Sequence, residues 1–355
     1  MKKWICMGIL FLLLAFPARA AEVPRDLQNA LPDQAEEILR EGDFSGSTAL
    51  AKGVGNILER AAAQVREILK TRLRGAAAVL LVVVLCGAVD GFYRGTGKTF
   101  LPMVGALSVT MLTAGSLDSL IGLGGETIDQ LSTFSKVLLP TLAAATAAGG
   151  AVGTATVQQV TTVFFVDLLL NLIDGLLLPL VYLYIGALTA AACLSENRLG
   201  AIAEGLKRVI VWILSSALLV FTLYLSVVRI ISTSADGVTV KVAKAAISGT
   251  IPVVGSIISE ATETVLAGAG MLKNTIGIFG TLAILAACAY PFLQLGIQYL
   301  LYKLTAFLAD TVGAPSLCKL INGLAGAFGL VLGMAGSCAL LLLISVLSSV
   351  AAVLP

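Results

Sequence analysis

The chain has 355 residues, of which 58% are hydrophobic and only 12% charged, and its mean hydropathy is +0.98. From position 75 onward it holds twelve acids and twelve bases in 281 residues, too few to cover a water-soluble surface, so most of that surface faces lipid. The net charge of +2 leaves no footprint for nucleic acid, and the lack of any histidine removes imidazole acid–base chemistry, histidine metal ligation and a Ser-His-Asp triad.

Residues 1–20 read as a secretory signal peptide. Lys2 and Lys3 form the positive start, Ile5 to Phe16 the apolar core, and Ala18-Arg19-Ala20 the small-x-small cleavage pattern. The next segment, 21–74, is water-compatible and expected to be exported, with nine acids and eight bases. Leu27, Leu31, Ile38 and Leu39 suggest a short helix. Leu50, Val54, Ile57, Leu58, Ala61, Val65, Ile68 and Leu69 then recur at helical spacing, which predicts an amphipathic helix lying on the membrane or against a partner helix. Lys70, Arg72 and Arg74 meet the first span on the exported side, against the positive-inside tendency.

Residues 75–136 read as a two-span unit: Ala76–Tyr93 and Thr99–Leu117, joined by a loop with Arg94 and Lys98. A polar stretch with Asp118, Glu126, Asp129 and Lys136 reads as an external connection. Asp90 and Arg94, four apart, are expected to anchor a membrane boundary. The run Gly95-Thr-Gly-Lys-Thr99 is not a phosphate loop, because Phe92 stands where the first glycine is required.

Further apolar stretches lie at about 160–193, 209–230, 274–302 and 320–353, while 137–157 and 245–258 are glycine-rich and weakly hydrophobic. The fold class is therefore all-α and polytopic: about six full transmembrane helices plus two re-entrant or short glycine-rich segments, following the leader. Full crossings by both broken stretches would give eight spans instead. Pro140 and Pro252, Pro179 and Pro291, and Lys207 and Lys319 are each 112 apart. That offset relates a membrane unit A at 137–230 to a unit B at 231–355 as a weak repeat. With six spans, the loops around Arg198–Arg208 and Lys303–Lys319 share the cytoplasmic side, the units run parallel, and the C-terminus lies outside.

Asp167, Asn171 and Asp174 share one helix face inside an apolar run. A carboxylate at the bilayer centre costs at least about 2.5 kcal/mol, so these acids must look into protein or water or become protonated. Three readings stand: a pore or transport lining, hydrogen bonding between helices of a static bundle, and neutral acids that face lipid. Glu260 and Glu263, just beyond a glycine-rich break, are candidates for the same lining or for an interfacial turn. Gln158 and Gln159 extend the polarity, and Gln294 and Gln298 are expected to bind neighbouring helices. Gly323, Gly326, Gly329, Gly333 and Gly336 form a small-residue stripe for close packing. The six cysteines fit neither a disulfide framework nor a metal site, and no catalytic, cofactor-binding or metal-ligating residues are expected.

The segment 228–256, VRIISTSADGVTVKVAKAAISGTIPVVGS, resembles the signature stretch of the stage III sporulation protein AE family. The leader, the short exported segment and the order of apolar runs agree with that resemblance. It implies a multi-pass component of a secretion-like channel complex that links mother cell and forespore and is required for endospore development. It also implies residence in the outer forespore membrane, on the mother-cell side. The implied partners are other membrane and exported proteins of the same complex; the glycine stripe leaves self-association open, and the charge gives no reason to expect nucleic acid. Arg229, Ser234, Asp236, Gly237, Lys241, Lys244, Gly249, Pro252 and Gly255 then become an assembly element. The competing functions are an ion-coupled secondary transporter using Asp167 and Asp174, and a non-conducting scaffold.

Overall fold

The computed structural model describes residues 23–39, 48–92, 97–194, 197–250 and 255–351, with side chains at most of these positions but not at 90–99 or 228–266. The leader, Arg94 and Pro252 lie outside the described residues, as does the side chain of Asp90.

Two short helices, α1 (Arg25–Asn29) and α2 (Asp33–Leu39), precede the membrane part. Long helices follow: α3 (Ala49–Phe92), α4 (Gly97–Ala148), α5 (Val152–Leu172), α6 (Leu178–Leu194), α7 (Asn197–Thr250), α8 (Gly255–Thr311) and α9 (Pro315–Ala351). Helices α5 and α6 are joined by a π-helical turn, Ile173–Leu177, into one bar. Counting that bar once, six helices among the described residues are long and apolar enough to cross a membrane. Several far exceed the need. The 52-residue α4 is roughly 80 Å long, against a hydrocarbon core of about 30 Å.

Two of the connections show why they are so short. Helix α4 ends in a left-handed residue, Gly150 (φ 90°), whose amide bonds the Ala147 carbonyl at 2.9 Å while Ala151 bonds Thr146 at 3.3 Å. Helix α8 ends the same way at Gly313 (φ 85°), with Gly313 bonding Asp310 at 3.1 Å and Ala314 bonding Ala309 at 3.4 Å. A residue with a Cβ would be strained at either position, and the paired bonds satisfy carbonyls the helix leaves open. Pro315 then starts α9, where its missing N–H costs nothing.

Short turns make consecutive bars antiparallel. The end of α3, the start of α4, the end of α6, the start of α7 and the 312–314 turn therefore gather at one end of the bundle, the basic end, with Arg198, Lys303 and Lys319 close by. The start of α3, the 149–151 turn and the last turns of α9 lie toward the other. Bars α5–α6 and α8 run in the same direction, as do α7 and α9.

Helices α8 and α9 form the central hairpin. Their apolar windows are 61% buried within the chain, whereas those of the four surrounding bars are between 17% and 28% buried. The outer faces carry large exposed apolar side chains, among them Met111, Trp212 and Phe307, as lipid contact requires.

Several boundaries differ from the sequence reading. The amphipathic segment and the first span are one helix, α3, which passes through position 74 without a break. Its Ile57 and Ile68 are buried, so the partner of the amphipathic face is the chain's own α8. Arg72, read as opposing the charge rule, donates a 2.6 Å hydrogen bond to Gln294 Oε1 of α8. The polar stretch 118–136 is the middle of α4 and not a loop. Residues 137–148 are that helix's last turns, so 137–157 is a helix end, a capped turn and a helix start; residues 245–250 end α7 and 255–258 begin α8.

Interior polarity binds α5 to α9. Gln158 Nε2 donates to Ser348 Oγ (2.8 Å), Ser349 Oγ donates to Gln158 Oε1 (2.9 Å), and Thr162 and Ser345 hydroxyls lie 2.6 Å apart. Replacing Gln158 by leucine deletes two of these bonds and strands both serines. The expected loss is about 0.6–2 kcal/mol per bond, read as a lower unfolding midpoint of purified protein. An unchanged midpoint would show that the ladder does not hold α5 in place.

Candidate functional site: an acidic face on the α4–α5–α6 hairpin

Asp167, Asn171 and Asp174 are all exposed on the outside of the chain. They do not point into this chain's own bundle. Gln158, nine residues before Asp167, is buried against α9; nine residues turn an α-helix through two and a half turns, so Asp167 must leave on the opposite side. Sequence periodicity could show that the three share a face, but not that the face looks outward.

The π-turn extends this face. Pro179 has no N–H to give the Gly175 carbonyl, and the wider turn at Ile173–Leu177 absorbs the mismatch. It also inserts one residue into the helical count. In an uninterrupted helix Tyr182 would be rotated about 80° from Asp174; the inserted residue brings it back to within about 20°. Tyr182 is exposed, and its hydroxyl lies 3.4 Å from Asp118 Oδ1 on α4.

Helix α4 carries a matching stripe. Asp118, Gly122, Glu126, Asp129, Thr133 and Lys136 are exposed at spacings of three and four, while Leu120, Ile128, Leu131, Phe134 and Leu138 are buried on the other side. Counted outward from the turn at 149–151, Thr133 stands level with Asp167, Asp129 with Asn171, Glu126 with Asp174 and Asp118 with Tyr182. The Tyr182–Asp118 contact fixes that register. The hairpin thus presents five acids and one lysine on one outward face, and among the described residues none of the five acids has an ion-pair partner. The α4 half was missed because its acids read as an external loop; their spacing of three and four was the available signal.

The other candidates fall elsewhere. Glu260 and Glu263 lie in the first turns of α8, and their side chains are outside the described residues. Arg229, Ser234, Asp236, Gly237, Lys241, Lys244 and Gly249 occupy the last part of α7, and Gly255 begins α8, again with side chains outside the described residues. Together they mark the end of the bundle opposite the basic loops. Gln298 is buried, and its Oε1 has no partner among the described residues. The glycine stripe of α9 is used within the chain. A Cβ at Gly323 would collide with Leu188, and the Gly329 and Gly336 positions meet the Tyr299 and Phe292 rings. Among the described residues, no group of three metal-ligating side chains occurs.

Comparison with known proteins gives one consistent result. The family model described as stage III sporulation protein AE matches residues 35–353. Stage III sporulation protein AE of Bacillus subtilis (strain 168) is 26% identical over 228 residues, which cover 63% of this chain and 56% of that protein. The aligned part thus spans little more than half of that relative's length. No solved structure matches.

Proposed function

We propose, for a chain that belongs to the stage III sporulation protein AE family, the role of a multi-pass membrane subunit in a channel complex between mother cell and forespore. The observation that carries this reading is the acidic face of the α4–α5–α6 hairpin. Acids on the outside of a membrane protein are costly against lipid, at about 2.5 kcal/mol or more for each ionised group near the bilayer centre. A face with five of them is stable only where water or another polar surface covers it. An assembly in which several chains, or this chain and partner subunits, turn this face toward a common axis would supply that cover. The outward position also separates this reading from a self-contained transporter, which would need Asp167 and Asp174 inside one chain's bundle.

A water-filled path makes a direct accessibility difference. Cysteine placed at Asn171 in sporulating cells should react with a charged, water-soluble thiol reagent. Cysteine at Trp212, on the apolar outer face of α7, should not. Equal inertness of the two positions would remove the hydrated path.

In this reading the basic end faces the mother-cell cytoplasm and the 149–151 turn faces the space between the membranes, beside the exported segment and the 228–256 signature. The signature is then placed to meet exported partners. With native cysteines replaced, a cysteine at Val152 should be labelled by an impermeant reagent on intact cells before engulfment. One at Val312 should be labelled only after permeabilisation. Labelling of both from the same side would break the six-crossing order.

A further inference from the structure

At the basic end a cavity of about 390 Å³ opens between α6, α7 and α9. Its wall includes Leu188 from α6, Glu204 and Lys207 from α7, and Ser316, Lys319 and Asn322 from α9. Lys207 is half-buried. Its Nζ reaches inward beside the Tyr184 hydroxyl, 3.7 Å from where a side-chain carbon at Gly326 would stand. Tyr184 itself is tied down, donating to the Gly323 carbonyl at 2.9 Å. Among the described residues no carboxylate lies within ion-pair distance of Lys207. A third base stands behind the wall: Lys303 Nζ donates to Asn322 Oδ1 at 2.7 Å, which leaves the Asn322 amide N–H groups free to donate. Two lysines against one acid, with a third lysine adjacent, leave the cavity positive.

Its position is as informative as its charge. The long apolar run of α9 begins just after Lys319, and that of α8 ends just before Lys303. The lysines therefore sit at a membrane boundary, while Leu188 and neighbouring small apolar residues of α6 continue the wall toward the hydrocarbon. A concave site with a cationic mouth and an apolar lower wall, placed at headgroup level between transmembrane helices, matches the chemistry of a phosphate-bearing anionic headgroup with its acyl chains below.

We propose that this cavity binds a phosphate group, with Lys207 and Lys319 as its charge partners and Asn322 and Ser316 as hydrogen-bond donors. The same chemistry could be presented by the phosphodiester of an anionic lipid or by free phosphate. Glu204 lies on the same wall and opposes the bound charge, so it sets an upper limit on affinity. The proposal does not depend on the channel role.

The test uses the purified full chain in a neutral detergent, with the thermal unfolding midpoint followed against added phosphatidylglycerol, phosphatidylcholine or inorganic phosphate. Phosphatidylglycerol should raise the midpoint where phosphatidylcholine of the same chains does not. The half-saturating concentration should rise about fivefold in Lys207→Gln and again in Lys319→Gln, as loss of one cationic contact predicts. Glu204→Gln should lower it, a change of sign that a merely structural role would not produce. Lys52→Gln, on the exposed side of α3, should leave it unchanged. Protection by inorganic phosphate alone, lost in the same variants, would identify the free anion as the ligand; protection that needs phosphatidylglycerol would identify the lipid. If Lys207→Gln does not fold, Lys207→Arg and Glu204→Gln carry the test. Equal protection by phosphatidylcholine, or the same response in wild type, Glu204→Gln and the double lysine variant, would overturn the proposal.

Discussion

Asparagine in place of both Asp167 and Asp174 is expected to leave membrane abundance normal and to lower spore formation by roughly tenfold or more, because it removes only the charge that holds water at this face. The carboxamide keeps the size and the hydrogen-bonding capacity of the carboxylate, so packing of the α5–α6 bar against α9, which uses the opposite side, is untouched. Leucine at the same positions removes charge and hydrogen bonding together. It would also turn the stripe into one more lipid-like surface, continuous with exposed Phe164, Leu168, Leu176 and Leu183. If the face lies against lipid, the leucine variants should insert at least as well as wild type and sporulate fully. If it lies in a polar assembly, they should be the most defective of the series. Counting heat-resistant spores alongside immunoblots of the membrane fraction separates these outcomes. Full function with leucine at both sites would remove the acidic face from the mechanism.

The second large effect concerns the central hairpin. Gly323 of α9 sits where its backbone carbonyl accepts from Tyr184 Oη and where any Cβ would collide with the Leu188 side chain. Gly323→Val should therefore push α6 away from α9 and cost about 1–3 kcal/mol, the usual range for overpacking a filled interior. Gly333 belongs to the same stripe, but a Cβ there would meet open space. Gly333→Ala should be neutral or stabilising by up to about 1 kcal/mol, since alanine loses less entropy in a helix than glycine. Unfolding midpoints of the two purified variants give the comparison. Equal effects would mean that the α6–α9 contact is looser than the structure has it, and Gly323→Val would then also spare the cavity beside Lys207.

Read from the sequence, the membrane class, the six apolar runs long enough to cross and the clustering of bases near alternate connections were all legible. The reason is that desolvation is a local quantity: each residue carries its own cost of leaving water, and the costs sum along the chain. Helix continuity was less legible. Glycine and acids at 118–136 lower local propensity and suggest a loop, yet Leu120, Ile128, Leu131 and Phe134 bury one side of that stretch, and burial of a helical face outweighs propensity. Which way each face looks was decided only by the tertiary structure. In a soluble helix the apolar side marks the interior, but in a membrane helix the lipid side and the protein side are both apolar, and the rotational signal fades. That is why Gln158, Thr162 and Asp167 read as one polar neighbourhood along the chain, while packing against Ser345, Ser348 and Ser349 buries the first two and leaves Asp167 on the opposite, outer side. The same holds for Lys207 and Lys319, 112 residues apart in sequence, which become walls of one cavity only because the short turns bring α7 and α9 together in parallel.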